Sequence, residues 1–294
     1  MIFEGVIPAV VTPFSDEGDV DVAALASNAE WVLDGGARGL VGTGTMGESQ
    51  SLSMAERRLV VETLVEAAPA RTVTVGVSAA TPGASITLAA DAAAAGAQGL
   101  MLLPPLGYAA DDREIEAFYR VVAESTDLPI MAYNNPHASG TDMRPGLVAR
   151  LAEIDGVVAV KECSGDARRI AEIRSIAHSD FEVLVGGDDW ALEGFCAGAT
   201  GWISGVANVA PRECAELHVL CAEGRLQEAR ERYARLLPLA RLDMRPKLVQ
   251  FFKAAMDQVG RYGGPCRPPR LGLTDEERRE VEAAVGALGA PVAG

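Results

Sequence analysis

Lys161 interrupts an apolar run, Gly156-Val-Val-Ala-Val160-Lys161-Glu-Cys-Ser-Gly165, in a chain whose 26 basic residues include only three lysines, the rest being arginine. Where arginine serves for surface charge, a lysine at the end of a strand points to chemistry that a guanidinium cannot perform. An ammonium loses its proton when desolvated and can then attack a carbonyl to form a Schiff base, whereas arginine stays charged. The plainer alternative is a lysine stem crossing a sheet rim with its head in water. Other reactive side chains share the setting. Tyr133 begins Tyr133-Asn-Asn-Pro136 at the end of another apolar run, and Thr45 and Glu48 follow a third. Each could equally be a rim packing residue; together on one rim they suggest a site.

The elements that would position them repeat in a βα rhythm at roughly 20 to 35 residues. Strands are expected from near Gly5, Gly39, Thr72, Gly99, Leu128, Val157, Phe181 and Gly201. Their runs are nearly all apolar, as strands covered on both faces should be. Between them lie helical patterns, the clearest opening on a Ser53/Glu56 capping box. Gly36-Ala-Arg-Gly39 and Gly96-Ala-Gln-Gly99 each close a helix and turn the chain into a strand. Eight such units predict an α/β fold, a (β/α)₈ TIM barrel over residues 1–223 that carries the site. Helical segments at 212–222, 226–242, 247–259 and 275–288 supply the last barrel helix and a C-terminal helical extension, residues 224–294. Catalytic groups in such barrels sit at the C-terminal strand ends, where Tyr133, Lys161 and Thr45 all fall.

Other motifs carry less. Gly42-Thr-Gly44-Thr-Met-Gly47 matches the dinucleotide fingerprint, but its helix starts only after Ser53 and the next strand, TVTVGV, ends without an acid. A loop whose backbone N–H groups approach a substrate anion fits better. Gly186-Gly-Asp-Asp189 could contact substrate hydroxyls or simply cap a helix. The three histidines are isolated and lack metal-ligand spacing, so no metal is expected. Five scattered cysteines without a C-x-x-C pair read as reduced thiols. With no basic leader at the N-terminus, a cytoplasmic location is expected. A net charge of −15 argues against nucleic acid or an anionic membrane surface as partner.

With GTMGES, YNNP, VVAVKECSGD and GGDD in this order, the chain resembles the dihydrodipicolinate synthase / N-acetylneuraminate lyase family over essentially its whole length. The resemblance implies a class I lyase in which a barrel lysine forms a covalent imine with pyruvate or another 2-oxo acid, without metal or organic cofactor, in a homotetramer. It implies Lys161 as the imine-forming amine, Tyr133 as the proton-shuttling phenol, and Thr45 as a carboxylate contact or relay. Met46 and Gly47 would complete the carboxylate cradle, and Gly187 and Ile203 would line the 2-oxo acid pocket. The apolar strand would favour a neutral amine.

Departures bear on the substrate. Leu106 takes the position of a relay tyrosine in the biosynthetic synthases, Ala138 that of an arginine holding the second substrate, and Met46 that of a threonine. The Pro-Pro loop, the YNNP turn and the segment from Leu242 to Gln250 look more like catabolic members. The expectation is therefore dehydration or deamination of a substituted 2-oxo acid or a related pyrroline carboxylate, or retro-aldol cleavage, with Ser139, Asp188 and Ser204 reading the distal end. The alternatives are a 4-hydroxy-tetrahydrodipicolinate synthase, joining pyruvate to aspartate semialdehyde, and a non-catalytic regulatory barrel that binds a 2-oxo acid.

Overall fold

The computed structural model describes residues 2–289. Eight parallel strands, β1 (Gly5–Pro8), β2 (Gly39–Gly42), β3 (Thr72–Gly76), β4 (Gly99–Leu102), β5 (Ile130–Asn134), β6 (Val157–Glu162), β7 (Glu182–Val185) and β8 (Gly201–Ser204), pair in the order β1-β8-β7-β6-β5-β4-β3-β2. A parallel bridge from Ala9 to Val41, with Val10 N–H donating to the Val41 carbonyl at 3.0 Å, brings β1 back to β2. The barrel of the sequence analysis is what forms. Its strands are short and buried almost throughout because side chains fill the barrel inside while helices cover it outside.

Local signals set the helix boundaries. Ser53 and Glu56 cap Met54–Ala67 reciprocally, and Asp111 and Glu114 do the same for Asp112–Ala123. Gly36 and Gly96, at φ 104° and 91°, take the left-handed turn that a side chain would oppose. Each thereby reverses the chain from a helix into the following strand.

Beyond β8 the chain is helical. Pro211–Ala222 packs against Leu226–Ala240, and after a 3₁₀ turn over Arg241–Met244 the chain continues through Leu248–Gln258 and Asp275–Gly286. The expected boundary at 223/224 falls in the turn between the first two of these. The buried core runs across it: Leu236, Phe252, Met256 and Val285 belong to the same apolar cluster as the barrel residues. Tyr233 fastens the tail over the rim, its hydroxyl donating to the Asp188 carbonyl at 2.7 Å and accepting from Ala191 N–H at 3.1 Å.

A buried ion pair makes the second fastening. Glu48, in the loop after β2, has no exposed side chain, and Lys253 of the tail is 2% exposed; their charged atoms lie 2.8 Å apart. Lys253 also donates to the Pro265 carbonyl at 2.8 Å. Arg267 N–H donates to the second Glu48 oxygen at 3.2 Å, and Arg270 approaches it at 3.4 Å. Glu48 is thus turned away from the rim where the sequence places it, toward the tail.

Replacing Lys253 by Met leaves a buried carboxylate short of its counter-charge, which costs about 3–5 kcal/mol. Equilibrium urea denaturation is expected to show that loss, and the double variant Glu48→Gln/Lys253→Met to regain much of it. Wild-type stability for Lys253→Met would mean that the pair is not a fastening.

Candidate active site

At the C-terminal strand ends a cavity of about 470 Å³ opens above the barrel. Lys161 and Tyr133 are register partners on β6 and β5, so both side chains point inward together. The lysine Nζ sits 4.1 Å from the centre of the Tyr133 ring. Alternation sends the next pair outward. There the Glu162 carboxylate accepts from Asn134 Nδ2 at 2.9 Å and from Ser164 N–H at 2.6 Å. Asn134 Oδ1 in turn accepts from Met143 N–H at 2.9 Å. One residue of each pair holds the strand ends; the other faces the cavity.

The backbone keeps the lysine there. Gly186 N–H donates to the Glu162 carbonyl at 2.6 Å, and Cys163 N–H to the Asn134 carbonyl at 2.8 Å, extending the ladder past the strand ends. Gly186 also makes room: a Cβ at that position would lie 3.0 Å from Lys161 Cε and 2.7 Å from Cys163 Cβ. The loop after β2 supplies the facing wall. Thr43 and Glu48 hold left-handed φ values of 49° and 51°, which cost a threonine and a glutamate about 1–3 kcal/mol each and persist because the surroundings fix them. Between them Thr45 and Met46 line the cavity, and their N–H groups have no acceptor within the protein among the described residues.

The electrostatics differ from the expectation of a neutral amine. Burial opposes the charge on Lys161, but Tyr133, Cys163 and Asp243 more than offset it and raise the amine above its ordinary range. At neutral pH the two weakest acids are protonated, since burial raises the Tyr133 phenol and pushes the Cys163 thiol up to about 12. That leaves Asp243 as the negative charge facing the lysine. Its own carboxyl is raised to about 6 by burial first, with a smaller push from Asp189, against the pull of Lys161 and of the Asp188 N–H. The Tyr133 hydroxyl accepts from Asn135 Nδ2 at 2.8 Å.

Of the residues singled out from sequence, Lys161, Tyr133, Thr45, Met46 and Ile203 line this cavity. Five do not. Gly47 packs on Val10 and Thr12 of the barrel, and Gly187 lies flat against Trp190, leaving Gly186 as the glycine of the wall. Ser139 is spent on the Asn135 and Thr141 backbone. The Ser204 hydroxyl accepts from Ala207 N–H at 3.0 Å. Asp188 is fully buried and accepts from Gly205 and Val206 N–H at 3.1 and 2.9 Å, one layer behind the wall. Sequence reasoning missed Asn135, Asp243 and Arg245. Asn135 sits inside the quoted YNNP turn; the other two come from the tail, where no spacing ties them to the strand ends.

A larger hollow of about 800 Å³ lies at the opposite end of the barrel, around Glu4, Arg38, Arg212 and His218. Its lining holds no lysine, cysteine, serine or tyrosine, so nothing there matches the chemistry of the upper cavity.

Known proteins resemble the chain over its full length. The 4-hydroxy-tetrahydrodipicolinate synthase of Methanothrix thermoacetophila is 38% identical over 95% of both chains, and that of Archaeoglobus fulgidus 35% identical over 98% of this chain and 99% of the other. The crystal structure of dihydrodipicolinate synthase from Aquifex aeolicus superposes with a TM-score of 0.94 at 30% identity, covering 99% of this chain and all of that one. These relatives carry the biosynthetic name, so the comparison favours the synthase alternative over the catabolic expectation. Residues 2–288 match the Dihydrodipicolinate synthetase family. Its members are lyases that use a lysine Schiff base with pyruvate and neither metal nor organic cofactor. The chain belongs to this family.

Proposed function

We propose that the protein condenses pyruvate with aspartate semialdehyde through an imine on Lys161, the reaction named for its relatives. The observation that carries the reading is the buried Lys161 amine against the Tyr133 ring, inside a cavity closed by the Thr45–Met46 backbone. The free N–H groups of Thr45 and Met46 suit a pyruvate carboxylate. Held there, the 2-oxo carbon receives the Lys161 nitrogen and loses water to give an iminium. The iminium draws electrons from C3, a C3 proton leaves, and the enamine carbon attacks the aldehyde. Tyr133 moves protons to and from these atoms. A homotetramer in the cytoplasm is part of the proposal and is supported by the family resemblance.

A second reading, elimination from a substituted 2-oxo acid, is favoured by one observation. Ala138 lines the cavity where the synthase pattern has arginine, while Leu106 packs half-buried on the chain's own core in place of a relay tyrosine. The same enamine would then expel water or ammonia from the neighbouring carbon.

Incubation with pyruvate and borohydride is expected to add a reduced pyruvyl group to Lys161, seen by peptide mass spectrometry and absent from Lys161→Ala. Absence of an adduct with every 2-oxo acid tried ends the imine account. Product formation from pyruvate plus aspartate semialdehyde, measured beside a panel of hydroxylated 2-oxo acids, then decides between the two readings.

Gly186→Ala makes a separate demand. Its methyl group has to displace Lys161 or Cys163, at a cost of about 1–3 kcal/mol. The trapping rate is expected to fall at least about tenfold. Unchanged trapping would show that the lysine does not depend on the room this glycine leaves.

A further inference from the structure

The upper cavity joins two walls of different chemistry. The strand ends supply Lys161 and Tyr133, with the Thr45–Met46 backbone facing them, whereas the loop after β5 and the tail supply His137, Ala138, Met244, Arg245 and Pro246. Arg245 is the only guanidinium in the lining among the described residues and, apart from Lys161, its only permanent cation. The reaction at Lys161 gives it no task.

This guanidinium is held by one side only. Its Nη1 donates to Glu280 of the last tail helix at 2.5 Å, and its central carbon lies 5.4 Å from the centre of the Phe251 ring. Among the described residues its side chain pairs with Glu280 alone, so Nε and Nη2 keep their donors for a planar anion. Asp243, the one carboxyl of the lining, is engaged elsewhere and accepts from Asp188 N–H at 3.4 Å.

The size of the space fits such an anion at the far end of a substrate. A round cavity of 470 Å³ is about 10 Å across. Drawn out from the Lys161 nitrogen, the condensation product places its distal carboxyl carbon six bonds away, about 7–8 Å, and a charge-assisted hydrogen bond adds about 2.8 Å. Other polar groups on that side are already used. Asn135 donates to the Tyr133 hydroxyl at 2.8 Å and accepts from Ala138 N–H at 3.1 Å, and Ala138 has no polar side chain.

We propose that Arg245 receives the distal carboxylate of the aldehyde substrate and makes the site select aldehydes that carry one. The assignment rests on the condensation reading given above. Arg245 is a substrate-binding residue in this account and takes no part in forming the imine. An aldehyde ending in a methyl group would meet Met244, Pro246 and Leu248 but leave the guanidinium without its second partner.

The test compares pyruvate consumption, at saturating pyruvate, with three four-carbon aldehydes in wild type and Arg245→Met. Aspartate semialdehyde carries a carboxylate and an ammonium, succinate semialdehyde keeps only the carboxylate, and butanal has neither. Wild type is expected to favour both carboxylates over butanal by about thirtyfold in kcat/KM. The variant is expected to lose that preference through a raised KM for the two carboxylates, with butanal unchanged. Borohydride trapping of pyruvate on Lys161 is expected to keep its wild-type rate in the variant, which reports an intact fold and imine step.

A wild type with no preference for the carboxylated aldehydes would overturn the assignment, and so would a variant that retains the preference. Slower trapping by Arg245→Met would count against it as well, by placing the residue in the imine step. A wild type that forms the Lys161 adduct but turns over none of these aldehydes would instead remove the condensation reading, and this assignment with it.

Discussion

The ion pair between Glu48 and Lys253 is the constraint on which the upper end of the barrel depends. A carboxylate and an ammonium, both buried, must stay together, because separating them leaves either one uncompensated in a medium of low dielectric. One partner ends the loop after β2, in a left-handed conformation that glutamate does not favour; the other sits in the middle of a tail helix. The pair therefore does two things at once. It fixes the backbone of Thr45 and Met46 against the strand ends, and it draws the tail over the barrel so that Asp243 reaches the cavity. The Tyr233 hydroxyl, bonded to the Asp188 carbonyl and the Ala191 N–H, repeats this fastening from the β7 side.

Within that frame, charge is arranged asymmetrically about Lys161. Tyr133 presents a neutral aromatic face at 4.1 Å, which can accommodate an ammonium or an iminium. The tail presents Asp243, backed by a second carboxyl with no cation of its own. Burial alone would drive the lysine toward neutrality; Tyr133, Cys163 and Asp243 together reverse the sign. The site thus keeps the resting amine charged, and the imine chemistry has to include a route for protons as well as a nucleophile.

How much of this the sequence reveals follows from how local each signal is. Strand runs, the Ser53/Glu56 box and the Gly36 and Gly96 turns act within a few residues, and so the barrel and its helices are legible. Lys161 and Tyr133 are legible because a strand end is a local feature and the barrel puts such ends on one rim. The family resemblance implies Gly187, and Gly186 is its twin in sequence; only the packing of Trp190 against one and Lys161 against the other separates them. Glu48 looked like a rim residue because its partner lies about two hundred positions away. Asp243 was hidden for the same reason: nothing in its own segment tells which strand the 3₁₀ turn will cover.

The tail therefore cannot be read as a passive cap. The barrel strands supply the nucleophile and the phenol, whereas the tail supplies a carboxyl that adds to the charge around that nucleophile, and Arg245 on the same short stretch lines the cavity as well. Barrel and tail can vary separately. Changes between Arg241 and Leu248 can retune charge at the outer cavity while the β5–β6 pairing that aligns Tyr133 with Lys161 stays intact. The positions at which this chain departs from the synthase pattern, Leu106 and Ala138, lie on barrel loops, and the tail brings both an acid and a guanidinium to the cavity that Ala138 lines. Loss of polar groups from one wall and their presence on another are thus compatible with the same covalent step on Lys161.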